Sequence, residues 1–159
     1  MNKDQLYSIY FANSRAYFLN KLREFKEGNR YTFNLPSFLL GGVYFFYRKM
    51  YKEGVILLIL IYTEQILSLN IATTFNLIFM HDTGYNIFMT FLFATVSGFI
   101  FNRLYLAKAI KVIDNIQIQE DEEAKKYLRK QGGTSIVSAL LLAVGMVIFA
   151  WLNATYFLF

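Results

Sequence analysis

Apolar and polar positions divide the chain into five apolar blocks with polar joints. In the first, from about residue 4 to 27, Tyr7, Phe11, Phe18, Leu22 and Phe25 recur at spacings of 3, 4 and 7, the repeat of one helix face. Arg15, Lys21, Arg23 and Lys26 supply cations and Gly28–Asn29 a stop, so an N-terminal amphipathic helix is expected within residues 1–30. It would lie in the plane of an anionic membrane face or pack beneath a transmembrane bundle, and the two are compatible. The second block, residues 33–47, reads FNLPSFLLGGVYFFY and carries no charge before Arg48 and Lys49. Asn34 and Pro36 form a helix start. As a helix this block reaches roughly 22 Å, short of the roughly 30 Å hydrocarbon core of a bilayer. Gly41–Gly42 at its middle allows a bend or the close approach of another backbone.

Three longer blocks follow. Residues 54–80, 86–106 and 134–159 are each long and apolar enough for a membrane span. HDTGY joins the first two. After the second, Leu106, Ile110, Ile113 and Ile116 keep an apolar stripe, so the helix should continue into the polar segment 107–133. Its later part, QEDEEAKKYLRKQGG, places acids first and bases last, with Asp121/Lys125 and Glu122/Lys126 at i,i+4. That charge run reads as a solvated helix ended by Gly132–Gly133.

Charge decides how the short block is treated. If residues 33–47 do not cross, the arm, the 48–53 joint and the 103–133 segment lie on one side and hold all 16 Lys and Arg. HDTGY and the C-terminal end then hold none. A crossing by residues 33–47 would put the basic arm outside, against the preference of positive loops for the cytoplasm. The expected fold is therefore an all-α integral membrane protein. It has three transmembrane helices, a short re-entrant or half-inserted helix and the N-terminal amphipathic helix, with the N-terminus cytoplasmic and the C-terminus outside. A four-span chain is the alternative.

Composition narrows the chemistry. The 159 residues are 56% hydrophobic and 17% charged, against about 45–50% and 25% for soluble domains. No cysteine is present and His81 is the single histidine, which leaves no thiolate or multi-histidine metal site. The net charge of +5 fits anionic headgroups better than nucleic acid in so apolar a chain. The first 30 residues contain no compact apolar core of a cleavable signal. Phosphate loops, dinucleotide glycine motifs, HExxH and EF-hand patterns do not occur, so no reaction, cofactor or metal is expected. His81–Asp82 reads as a polar joint rather than a catalytic pair.

Glu64 is the exception within the spans, about ten residues into the first and roughly 15 Å deep. A carboxylate there is costly and is expected to face a bundle interior or a cavity. Gln65 adjoins it, Ser68 follows one turn later, and Thr63, Asn70 and Thr74 form a second polar line. One reading is a proton or ion site, or a contact to a partner helix; the other is a neutral Glu64 hydrogen-bonded inside the bundle. Asn102 ends the next span, and Ala94, Gly98 and Asn102 form a small-residue line for close helix packing, as do Ala139 and Ala143. Arg48 and Lys49 are candidates for lipid phosphates, with Tyr47 and Tyr51 as headgroup-level anchors. Arg48 is also placed to reach Asn102 or Glu64.

FNLPSFLLGGVYFFYRKMY resembles the signature of a family of small bacterial inner-membrane proteins, the domain-of-unknown-function family 2628. The residues concerned are Phe33, Asn34, Phe38, Gly41 and Tyr47 through Tyr51. GFIFNRLY, with Gly98, Asn102 and Tyr105, is similar to the family's second block. Where many members carry Trp before the Tyr-Arg pair, this chain has Tyr44, and it lacks the cysteines of relatives with a zinc ribbon. The resemblance covers about residues 30 to 115 and implies a bacterial inner-membrane protein without transferring a catalytic role. Three functions stay open: a non-enzymatic partner-binding or regulatory membrane subunit, including a homo-oligomer; a small oligomeric transporter or channel using Glu64; and a sensor of anionic lipid or curvature.

Overall fold

The computed structural model describes residues 1–116 and 121–156, with backbone alone at 78, 81, 153, 154 and 156. The described chain is helical throughout its regular elements. These are α1 (Lys3–Phe11), α2 (Arg15–Lys26), α3 (Leu35–Leu40), α4 (Gly42–Tyr47), α5 (Tyr51–Phe75), α6 (Thr83–Asp114), α7 (Asp121–Gln131) and α8 (Ile136–Tyr156), with 3₁₀ turns at Ala12–Ser14 and Ile78–His81. Three helices are long and apolar enough to cross a membrane: α5, α6 and the apolar run that α8 contains. Residues 117–120 and the end of the predicted last span, residues 157–159, lie outside the described residues.

The N-terminal segment is two helices rather than the single one its periodicity predicts. Asn2 starts α1 with a reciprocal capping box to Gln5. Ala12 then takes φ 49°, a left-handed value rare for a residue with a Cβ, and the chain turns. The bared carbonyls of α1 find new donors: Gly133 N–H to Tyr10 O at 2.7 Å, and the Arg48 guanidinium to Phe11 O. Folding back at Ala12 lets α1 and α2 press on the same stretch of α6. Tyr10, Phe11 and Phe18 become fully buried there with Phe101 and Tyr105. Asn13–Ser14, a pair that favours turns over helix interiors, is the local signal for this break.

Residues 33–47 also divide. Asn34 caps α3 through Ser37 N–H, and Gly41, at φ 48°, separates α3 from α4. The expected bend at Gly41–Gly42 is present. α3 runs outward along α6 from Gly98 towards Phe91; α4 returns, so that Phe45 meets Phe101 at 5.0 Å. Two glycines permit close approaches. A Cβ on Gly98 would stand 2.7 Å from the Phe33 ring, and one on Gly54 2.8 Å from Phe46.

α5 stops five residues before the predicted Met80, because Asn76 adopts the left-handed conformation and returns its N–H to Ala72 O. The apolar run Leu77–Met80 hides that stop in the sequence. α6 extends beyond residue 106 to Asp114, as its apolar stripe implies. Along α7 the predicted i,i+4 pairs do not form. Lys125 pairs with Glu122 at 2.6 Å, and Asp121 takes the N-terminal ammonium at 3.4 Å.

Candidate functional site

Two arrangements contain the candidate residues. The first is a joint between α3, α6 and the arm. Asn102 is fully buried; its Oδ1 accepts from Asn34 Nδ2 at 2.9 Å, and its Nδ2 donates to Tyr17 Oη and Thr32 Oγ1, both at 2.9 Å. Asn34 N–H donates to Gly98 O at 2.9 Å. Ser37 Oγ donates to Ser97 O at 3.1 Å, and Ser97 Oγ donates back to Ser37 O at 2.9 Å. A buried amide left unpaired is costly, and this network satisfies both asparagines. The Phe33–Asn34 and Gly98…Asn102…Tyr105 blocks therefore meet in space.

Arg48 sits beside this joint. It is 2% exposed and stacks on Phe18, Tyr47, Tyr44 and Tyr105, with centroid distances of 4.8, 5.4, 5.7 and 5.8 Å. Its guanidinium donates to Ser14 Oγ, Tyr44 Oη and Phe11 O. No carboxylate pairs with it among the described residues. It reaches neither Asn102 nor Glu64, and its burial removes it from the membrane surface where the sequence placed it. A planar guanidinium suits such a ring-lined cage because it stacks and donates at its edges together.

Lys49 Nζ caps the end of α7, donating to Arg129 O at 2.8 Å, and Lys108 Nζ donates to Lys49 O at 2.7 Å. Tyr47 is half-buried against Arg48. Tyr51 is exposed at the foot of α5, and its Oη is 3.0 Å from Ser138 Oγ.

The second arrangement is a cleft of about 470 Å³ between α5 and α6, floored by the α3–α4 bend and edged by Met146. Glu64 and Gln65 line it from α5, and Asn86, Thr90, Ala94 and Ser97 from α6. Glu64 accepts a hydrogen bond from Tyr85 Oη at 2.8 Å. In sequence Tyr85 carries no sign of this contact; a tyrosine at the start of a span reads as an interface anchor, and the turn at Asn76 brings it to Glu64. The Gln65 side chain has no hydrogen-bond partner among the described residues. Ser68 and Asn70 turn back on their own helix, to Gln65 O at 3.0 Å and Ile66 O at 2.7 Å, and so do not join Glu64 in one site. A Cβ on Gly42 would stand 3.3 Å from Leu58 at the cleft floor. His81's side chain, part of the expected polar joint, lies outside the described residues. No group of three or more acids or histidines suited to a metal occurs among the described residues.

The architecture thus defines a class: an α-helical protein with three membrane-length helices rising from an aromatic base, and between two of them a largely apolar cleft that carries a few polar side chains. Within that class the chain belongs to the family described as "Protein of unknown function (DUF2628)", which it matches over residues 11–111. That match contains the arm from Phe11, the α3–α4 hairpin, α5 and nearly all of α6. No curated protein and no solved structure matches the chain.

Proposed function

We propose that this is a non-enzymatic subunit of the bacterial inner membrane, with the arm and α7 cytoplasmic and the C-terminal end outside, which binds a membrane partner through the α5–α6 cleft. The observation that carries this reading is Gln65. Its amide has no hydrogen-bond partner among the described residues and stands beside Glu64 in a cleft at mid-span depth. Lipid tails cover apolar faces well and offer nothing to an amide. A transmembrane helix with a hydroxyl, amide or ammonium group would satisfy both residues, and the occupant can be a second copy of this chain.

The α3–α4 hairpin is the re-entrant element of this arrangement. Leu35, Leu39 and Leu40 are exposed, as suits a bend dipping into lipid, and both ends of the hairpin return to the basic side. Extraction in polymer-bounded native discs followed by mass measurement tests the reading. A stoichiometric partner or a second copy is expected, and Glu64→Leu with Gln65→Leu should release it. Wild-type discs holding only a monomer would overturn it.

Glu64 favours a second reading, an oligomeric ion pathway. The cleft ends towards the base at Ser97, and below it Phe101 and Tyr105 are fully buried, so one chain offers no continuous path. Ion flux in proteoliposomes that is abolished by Glu64→Gln would establish this second reading in place of the first.

A further inference from the structure

We infer that the hollow at the foot of α5 and α8 binds a phosphate group, presented by an anionic phospholipid of the leaflet next to the base. The hollow, of about 670 Å³, lies between the α1–α2 turn, the Lys49 turn and the end of α7. Three cations line it, Arg15, Lys49 and Arg129, together with Ser8, Asn13 and Thr134, and among the described residues no Asp or Glu contributes to its wall. Among the described residues the Arg15 and Arg129 guanidinium groups make no ion pair or hydrogen bond. Guanidinium forks match phosphate oxygens two at a time, and neutral donors complete such a cradle.

Arg48 is a second and independent indication. Among the described residues no carboxylate pairs with it where it is buried, and it donates to Phe11 O and Ser14 Oγ on the turn that forms the hollow's wall. Its field adds to that of the three lining cations, and an anion in the hollow would balance it. Location supplies the source of the anion. Lys49 precedes the first residue of α5 by two positions and Thr134 precedes that of α8 by two. The hollow therefore opens where both helices leave the base, the depth of lipid phosphates. This step rests on the membrane reading above and not on the partner cleft. A zwitterionic headgroup carries its own ammonium into a site with three cations, so an anionic headgroup is preferred.

The test uses the full chain in vesicles of phosphatidylcholine with or without phosphatidylglycerol. Gentle detergent release and native mass spectrometry then count the lipids retained. One or two retained phosphatidylglycerols are expected, with at least about a tenfold loss in Arg15→Gln/Arg129→Gln. The charge-matched control Lys52→Gln/Lys126→Gln, at exposed positions outside the hollow, should retain them. Thermal unfolding identifies any variant that fails to fold, and single variants then replace it. Equal retention of both lipids, or equal loss in the control, would overturn the site. Displacement by millimolar inorganic phosphate or glycerol phosphate would overturn the lipid assignment and give the site to a soluble phosphate ester.

Discussion

The base and the spans of this protein solve the burial problem in opposite ways. In the base, the α1–α2 hairpin, α4 and the lower half of α6 enclose a cluster of rings in which Tyr10, Phe11, Phe18, Phe101 and Tyr105 are fully buried. Of the most apolar stretch of each membrane-length helix, 11% is buried in α5, 22% in α6 and none in the α8 region. α8 meets the rest chiefly at its foot, through α4 and Ser135 N–H to Tyr47 O at 2.7 Å, and higher up Phe149 packs on Tyr62 of α5. The base is organised as the interior of a water-soluble protein is, by exclusion of water from rings. The membrane-length helices leave most of their apolar surface uncovered, and lipid, which is as apolar as leucine, would drive no helix together. Specific contacts in that layer must come from polar groups and small residues, and the α5–α6 cleft holds both.

Substitutions that empty the base should have the largest effect. Arg48→Ala removes three hydrogen bonds and four ring contacts, and a loss of about 3 kcal/mol or more is expected in unfolding measurements in mild detergent. Arg48→Lys should recover only part of it, because an ammonium does not stack. Next comes Asn102→Leu, which leaves Asn34, Thr32 and Tyr17 without their shared partner, at about 1–3 kcal/mol by the same measurement.

Glycines offer a direct contrast between the two layers. Gly98→Ala forces a methyl to 2.7 Å from Phe33 and 3.1 Å from Phe38, and should cost about 1–3 kcal/mol through displacement of α3. Among the described residues Gly145→Ala in α8 meets nothing within 4 Å, and it should be neutral or stabilise by up to about 1 kcal/mol through helix propensity. Equal effects at the two positions would break the comparison.

The smallest effect is expected at Tyr10, whose buried hydroxyl has no partner among the described residues. Tyr10→Phe should leave stability near neutral pH within about 1 kcal/mol of wild type. Burial pushes the Tyr10 phenol well above its ordinary value. Its stabilising contribution is thus complete below the unfolded value of about 10 and falls as pH rises above it, because the unfolded chain ionises first. Tyr10→Phe should lessen the alkaline loss, which pH-dependent thermal melts would record.

The sequence yields what depends on local pattern. Apolar length marks the three membrane-length helices, Gly41–Gly42 marks the bend, and the small residue Gly98 marks a close approach. Long-range burial is less legible. Arg48 and Lys49 end a charge-free run and so read as interface cations. Only the folding of Phe18 and Tyr105 onto that turn reveals a cage around Arg48, and only the end of α7 gives Lys49 its acceptors. The arm's apolar stripe keeps phase through Ala12, so periodicity alone hides the break that Asn13–Ser14 hints at. At the cleft, Glu64 and Gln65 stand out as polar residues in a span. Tyr85 does not, because its approach depends on Asn76 ending α5 early. Ser68 and Asn70 share their polarity but satisfy themselves on their own helix, a difference that side-chain geometry decides.

Photo-cross-linking in native membranes, with a reactive residue placed at Gln65 or Thr90 in the cleft and at Leu141 or Val147 on α8, tests the central claim most directly. The two-layer account predicts protein adducts of defined mass from the cleft positions, and lipid adducts alone from α8. Lipid adducts alone at all four positions, or the same protein adducts from α8 as from the cleft, would contradict it.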